Sequence, residues 1–100
     1  MQLEVNVHPE AQDELYEARS SYETIDPDLS EAFLLEIDRI VTVIREHPEI
    51  FQIRSDHRRA NLKRFPYFLP YPVRNKRVFL LAVAHNSRKP GYWKDRLLDQ

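Results

Sequence analysis

Leu3, Val5 and Val7 alternate with Gln2, Glu4 and Asn6, and this period of two predicts a strand over residues 2–7. The period then changes. Ala11, Leu15, Ala18, Tyr22 and Ile25 recur at helical spacings of three and four, with Asp13, Glu14, Glu17 and Glu23 placed largely outside that stripe. His8-Pro9-Glu10 marks the helix start, because a proline in the first turn gives up only an N–H that has no helical partner. The pattern predicts a helix over 9–24. Asp26-Pro27 repeats the signal, with Asp26 as N-cap. Phe33, Ile37, Ile40 and Ile44, widened by Leu29, Leu34 and Val41, then form a second stripe over 27–47, stopped by Pro48. So short a connection folds the two helices back on each other. Neither stripe is stable in water, and both need a sheet to cover.

The second half supplies one. Alternation recurs over about 58–65, 67–74 and 77–85, and Asn75-Lys76 turns the last two strands into a hairpin. Strict alternation puts Val78, Leu80, Ala82 and Ala84 on one face and Phe79, Leu81 and Val83 on the other, which suits a central strand. Pro70 and Pro72 lack their ladder N–H on the same side of one strand, so an edge position or a bulge is expected there. The tail, 89–100, has Pro90-Gly91 as a breaker, then Tyr92, Trp93, Leu97 and Leu98, with room for a last helical turn or two.

Composition narrows the chemistry. One hundred residues and 12.0 kDa fit a single domain over 1–100. The absence of cysteine excludes disulfides, thiolate metal sites and cysteine nucleophiles. A single glycine, Gly91, excludes phosphate-cradling glycine loops and a nucleophile elbow. His8, His47, His57 and His85 lie too far apart for a local metal motif, so neither a metal nor a cofactor is expected. No run approaches a membrane span and no basic-then-apolar leader precedes Pro9, so a cytoplasmic protein without a membrane partner is expected.

The net charge of −1 conceals an asymmetry. Residues 1–50 hold thirteen acids against three arginines, a balance of −10, while residues 51–100 hold twelve bases against three aspartates, a balance of +9. Either the basic half meets an anionic partner, or the two halves attract each other within one fold. The bases from Arg54 to Arg96 are interleaved with Phe65, Tyr67, Phe68, Tyr71, Tyr92 and Trp93. That mixture suits single-stranded nucleic acid, where arginines hold phosphates and rings stack on bases. It suits a protein interface equally well, and Phe65, Tyr67 and Tyr71 could simply be core. For RNA scission, arginine would stabilise the phosphorane while histidine or tyrosine moved the proton, which nominates His57, His85, Arg88 and Tyr92. His85 could as well cap its strand.

Arg59 to Leu62, Arg64-Phe65-Pro66-Tyr67, Tyr71, Val73, and Leu81-Ala82-Val83-Ala84-His85 followed by Arg88, Pro90, Tyr92, Trp93 and Arg96 resemble the ParE/RelE superfamily of toxins from bacterial type II toxin–antitoxin systems. His8-Pro9-Glu10-Ala11, Leu15, Ser21-Tyr22-Glu23, Phe33 and Glu46-His47-Pro48-Glu49 resemble its opening helical hairpin, so the likeness runs from about Leu3 to Arg96. It implies an α+β fold: an N-terminal strand and an antiparallel helical hairpin packed on a curved, mainly antiparallel sheet. It also implies a cognate antitoxin protein as partner. ParE-like members poison DNA gyrase, whereas RelE-like members cleave mRNA on the ribosome. A nuclease of the second kind would use Arg59, Lys63, His85, Arg88 and Tyr92, although its typical lysine pair has no match here. That gap and the near-neutral charge favour the ParE-like reading, a gyrase inhibitor with Arg64, Arg88, Tyr92 and Trp93 binding partners. Whether the chain is an enzyme stays open, and a non-toxic interaction module is the third alternative.

Overall fold

His8 and Asp26 are both extended residues followed by proline, and each caps a helix with its own side chain. His8 Nδ1 accepts the Glu10 N–H at 3.1 Å and Asp26 Oδ1 accepts the Asp28 N–H at 2.9 Å, satisfying donors that a helix start leaves orphaned. The computed structural model describes residues 2–99; Met1 and Gln100, included in the expected domain, lie outside the described residues. Strand β1 (Glu4–Val7) leads into α1 (Pro9–Ile25) and α2 (Pro27–Glu46), which form the expected antiparallel hairpin. A short 3-10 turn (Pro48–Ile50) then leads to β2 (Gln52–Arg54), β3 (His57–Asn61), β4 (Tyr67–Tyr71), β5 (Val73–Arg74), β6 (Arg77–Leu80) and β7 (Ala84–His85), and a 3-10 turn over Lys94–Asp99 closes the chain. No described helix is long and apolar enough to cross a membrane.

The strands run β2-β3-β4-β7 in one group and β1-β6-β5 in the other. All pairs are antiparallel except β1–β6. Hydrogen bonds from Leu81 N–H to Pro70 O and from Phe79 N–H to Pro72 O, both 3.1 Å, join the groups into one curved surface. Asn75 and Lys76 both take positive φ, 52° and 61°, the mirror-type turn whose twist matches a tight β5–β6 hairpin.

The helices cover the inner face. Ala18, Phe33, Ile37, Ile40 and Ile44 meet Ala60, Leu62, Leu69, Tyr71, Val78, Leu80 and Val83. Phe33 is fully buried, its ring 5.3–5.4 Å from those of Tyr22, Phe65 and Tyr67. A smaller cluster of Phe68, Leu81, Ala82, Ala84 and Trp93 fills the outer face beneath the tail.

Three expected strands are corrected by the structure. The strand over 58–65 ends at Asn61, because residues 62–66 turn around a buried carboxylate described below. The strand over 67–74 breaks at Pro72. The strand over 77–85 splits into β6 and β7 by a β-bulge. Leu81 faces Pro70, but Ala84 faces Phe68, so three steps on one strand oppose two on the other. The extra residue reverses the side-chain phase: Val83 joins Val78 and Leu80 inside, while Ala82 and Ala84 join Leu81 outside. Strand β2 was not anticipated, since its three residues are all exposed and too few to show alternation.

The prolines are not at an edge. β4 lies between β3 and the β6–β7 segment, and Pro70 and Pro72 are buried. Their carbonyls point toward Leu81 and Phe79, so their missing N–H groups face that side too, and the β3 ladder loses nothing. What goes unmade is a bond from residue 70 back to the Leu81 carbonyl.

Candidate functional site

Arg96 takes that vacant carbonyl. Its Nη1 donates to Leu81 O at 2.9 Å and to Glu14 Oε1 at 3.0 Å, while Nη2 donates to Glu14 Oε2 at 2.9 Å. Its Nε pairs with Glu10 at 2.8 Å. Glu14 is the hub of the arrangement. From α1 it also accepts the Val83 N–H at 3.0 Å, the donor that the bulge turns away from β4, and the Tyr92 hydroxyl at 2.8 Å. Arg88 approaches it at 3.5 Å and stacks on the Tyr92 ring, 3.8 Å from its centroid. One carboxylate therefore ties the first helix to the bulge and to the tail. Arg96 and Glu14 are each about 10% exposed, and the two-pronged geometry satisfies charges that burial would otherwise penalise.

Burial, then the hydrogen bond to Glu14, pushes the Tyr92 hydroxyl up to about 12. Such a tyrosine holds its proton at neutral pH and donates it to a carboxylate already present. Arg96 is held above the usual arginine value by Glu14 and Glu10, against the opposing effect of burial. Beside this cluster lies a cavity of about 150 Å³ lined by Glu14, Glu17, Ala18, Ser21, Tyr67, Val83, His85 and Arg88. His85 packs edge-on to Tyr67 with ring centroids 4.9 Å apart, and its Nδ1 accepts the Ser87 N–H at 3.0 Å, holding the turn after β7.

The residues nominated for RNA cleavage are not brought together. Arg88 and Tyr92 bond to Glu14, and His85 lines the cavity beside it. Arg59 lies on the outer face, 3.6 Å over the Phe68 ring, with its Nε donating to Asn61 at 3.0 Å. Lys63 and Arg64 sit in the turn after β3, exposed, with their backbone N–H groups held by Glu36 at 2.6 and 3.4 Å. Among the proposed partner-binding residues, Arg64 and Arg88 are open to solvent and Tyr92 is half-buried. Trp93, named with them as a partner-binding residue, is buried. It is 3% exposed, edge-on to His57 at 4.7 Å and to Phe68 at 6.5 Å, and offers a partner no surface. His57 is buried as well, bonded to Asp56 at 2.7 Å. Among the described residues, no group of histidines and acids is arranged to hold a metal.

Glu14 and Glu36 were missed by sequence reasoning, yet both leave the same trace. Ala11–Glu14–Ala18 and Phe33–Glu36–Ile40 run at spacings of three and four, so each acid borders the apolar stripe, and Glu14, expected outside it, is drawn in. An acid at a core position signals a buried partner set.

Residues 5–90 match the family described as ParE toxin of type II toxin-antitoxin system, parDE. Over 93 residues, 91% of this chain and 89% of the relative, it is 29% identical to Toxin ParE2 of Mycobacterium tuberculosis, in both strain CDC 1551 / Oshkosh and strain ATCC 25618 / H37Rv. A solved structure, the chromosomal ParDE TA system from P. aeruginosa, shares the fold with a TM-score of 0.72 at 16% identity, over 84% of this chain and 96% of that one. Family match, helical hairpin and mainly antiparallel sheet agree, and the chain belongs to the ParE toxins of type II toxin–antitoxin systems.

Proposed function

We propose that this toxin arrests growth by binding DNA gyrase through protein–protein contact, without cleaving RNA. The observation that carries the reading is the Glu14 carboxylate held among Arg88, Tyr92 and Arg96. A ribonuclease needs those donors free for a scissile phosphate and a group ready to take a proton. Here they surround a fixed negative charge, which would repel phosphate, and the tyrosine proton is engaged. Arg59, stacked on Phe68 and bonded to Asn61, is not one of the groups around Glu14. A ribosome-dependent mRNA endonuclease is therefore the weaker reading, and no separate observation favours a non-toxic interaction module.

The partner in the resting cell would be a cognate antitoxin in the cytoplasm. A surface hollow of about 230 Å³ between α2 and the turn after β3 is lined by Ala32, Leu35, Glu36, Arg39 and Arg64, with Leu35 64% exposed. An acidic, amphipathic segment would place its apolar side on Leu35 and its carboxylates on the two arginines. Copurification with the product of an adjacent small gene at physiological salt tests this.

The gyrase reading is tested with purified toxin in parallel supercoiling and ribosome assays. Inhibition of supercoiling with intact mRNA is expected. Codon-positioned mRNA cleavage that vanishes in Arg88→Ala or Tyr92→Ala, with supercoiling untouched, would overturn it.

A further inference from the structure

The −10 and +9 halves of the chain become two layers of one molecule. Both helices, with most of the acids, pack on the inner face of the sheet. The outer face collects arginines. Residues paired across strands share a face, so the pairs Arg54↔His57, Gln52↔Arg59 and Asn61↔Phe68 place Arg54 and Arg59 on the face of Phe68 and the outer cluster. In the second strand group, Arg74 faces Arg77, and Arg77 shares its side with Phe79, which packs against the same cluster.

Most of these cations have no acidic partner among the described residues. Arg77 pairs with Glu4 at 3.3 Å, but among the described residues Arg54, Arg59 and Arg74 are in no ion pair. Asp56, in the turn between β2 and β3, is engaged by His57 and also feels Lys94. Burial and then the neighbouring Arg54 charge pull Arg59 below the usual arginine value. Two like charges are thus held near each other with no acid between them, an arrangement that an external anion would relieve.

The rest of the face selects the anion. Phe68 is capped by Arg59, and Trp93 is covered at 3% exposure. Phe79 is partly buried against the same cluster, so among the described residues of this face no ring stands fully open for an unpaired base to stack on, which single-strand recognition relies on. Nor is there an open aromatic anchor of the kind that centres a protein interface. What remains is a charged surface able to meet phosphates without reading bases.

We propose that the outer face of the sheet, through Arg54, Arg59 and Arg74, docks on the phosphate backbone of duplex DNA without sequence preference. The surface is independent of the gyrase reading, since it needs no other protein. Three phosphate contacts make affinity fall about 40-fold between about 50 and 200 mM salt, by the counterion-release slope of about 0.9 per contact.

The test is fluorescence anisotropy of a short labelled duplex titrated with toxin alone, with the same sequence as a single strand and a polyglutamate peptide as further probes. Arg54→Gln/Arg59→Gln should bind the duplex at least about tenfold more weakly and lose about 2 from the salt slope. Arg54→Lys/Arg59→Lys should keep most of that slope, and Arg19→Gln, on the exposed side of α1, should match the parent. Circular dichroism and the thermal midpoint confirm that the double glutamine variant is folded. The proposal fails if the toxin does not bind duplex at low salt, or if the double glutamine variant binds as the parent does. It also fails if single strand or polyglutamate binds more tightly than duplex through the same arginines. The supercoiling assay is separate, so either reading can fall alone.

Discussion

Arg96 reaches across the molecule to the carbonyl of Leu81, the acceptor that Pro70 leaves vacant because it has no N–H to give. A proline in an inner strand is tolerated because a tail residue completes the ladder from outside it. Arg96→Ala should therefore destabilise the fold by about 3–5 kcal/mol, the usual cost of stripping one member from a buried pair. Arg96→Lys should recover only a fraction, since an ammonium cannot serve both Glu14 and Leu81 with a planar fork. Urea unfolding of the three proteins checks the order.

Phe33 has no exposed surface and touches three other rings, so Phe33→Ala should cost about 3–5 kcal/mol by the transfer and cavity penalties of a large buried aromatic. An unchanged denaturant midpoint would contradict the helix–sheet register described above.

Trp93 Nε1 is buried with no hydrogen-bond partner among the described residues. Trp93→Phe removes that unsatisfied donor while keeping most of the ring, and should cost about 1 kcal/mol or less, against about 3–5 for Trp93→Ala. In the parent protein, the fluorescence of this single tryptophan should be blue-shifted and resist iodide quenching.

Tyr71 and Tyr92 both have hydroxyls raised from 10.0 to about 12, in each case first by burial. Tyr71 donates to Pro48 O at 2.7 Å, and Tyr92 to Glu14. A raised pKa favours the protonated folded form, so the stability it confers is complete below pH 10 and is lost as pH rises toward 12. Denaturant midpoints measured across that window should fall, and fall less steeply in Tyr92→Phe.

Glu36 is 4% exposed and receives two backbone N–H groups from the turn after β3. Glu36→Ala should cost about 2–4 kcal/mol, since both donors would lose a charged acceptor. Amide exchange at Lys63 and Arg64 should speed up more than at Leu69 in the middle of β4.

Local periodicity was enough to specify both helices, the helix entry at His8-Pro9, the cap at Asp26, the Asn75-Lys76 turn and the inner core around Phe33. Each of these depends on residues within a few positions of one another, where spacing and backbone preference act directly. The family likeness was legible for the same reason, being carried by short runs such as Arg64-Phe65-Pro66-Tyr67. A bulge was one of two expectations for the proline strand, but its place in the facing strand was not legible. It exists because a segment with apolar residues on every side must serve two partners, β4 and the helix layer, and only the packed structure shows where the phase reverses. Nor could spacing show which donors Glu14 collects, because Val83, Tyr92 and Arg96 lie 69 to 82 residues away from it. Burial then changed the meaning of single residues, turning Trp93 from a candidate contact into core. The charge asymmetry was plain in the chain, but its separation into an acidic helical layer and a basic sheet face came only from the pairing of strands.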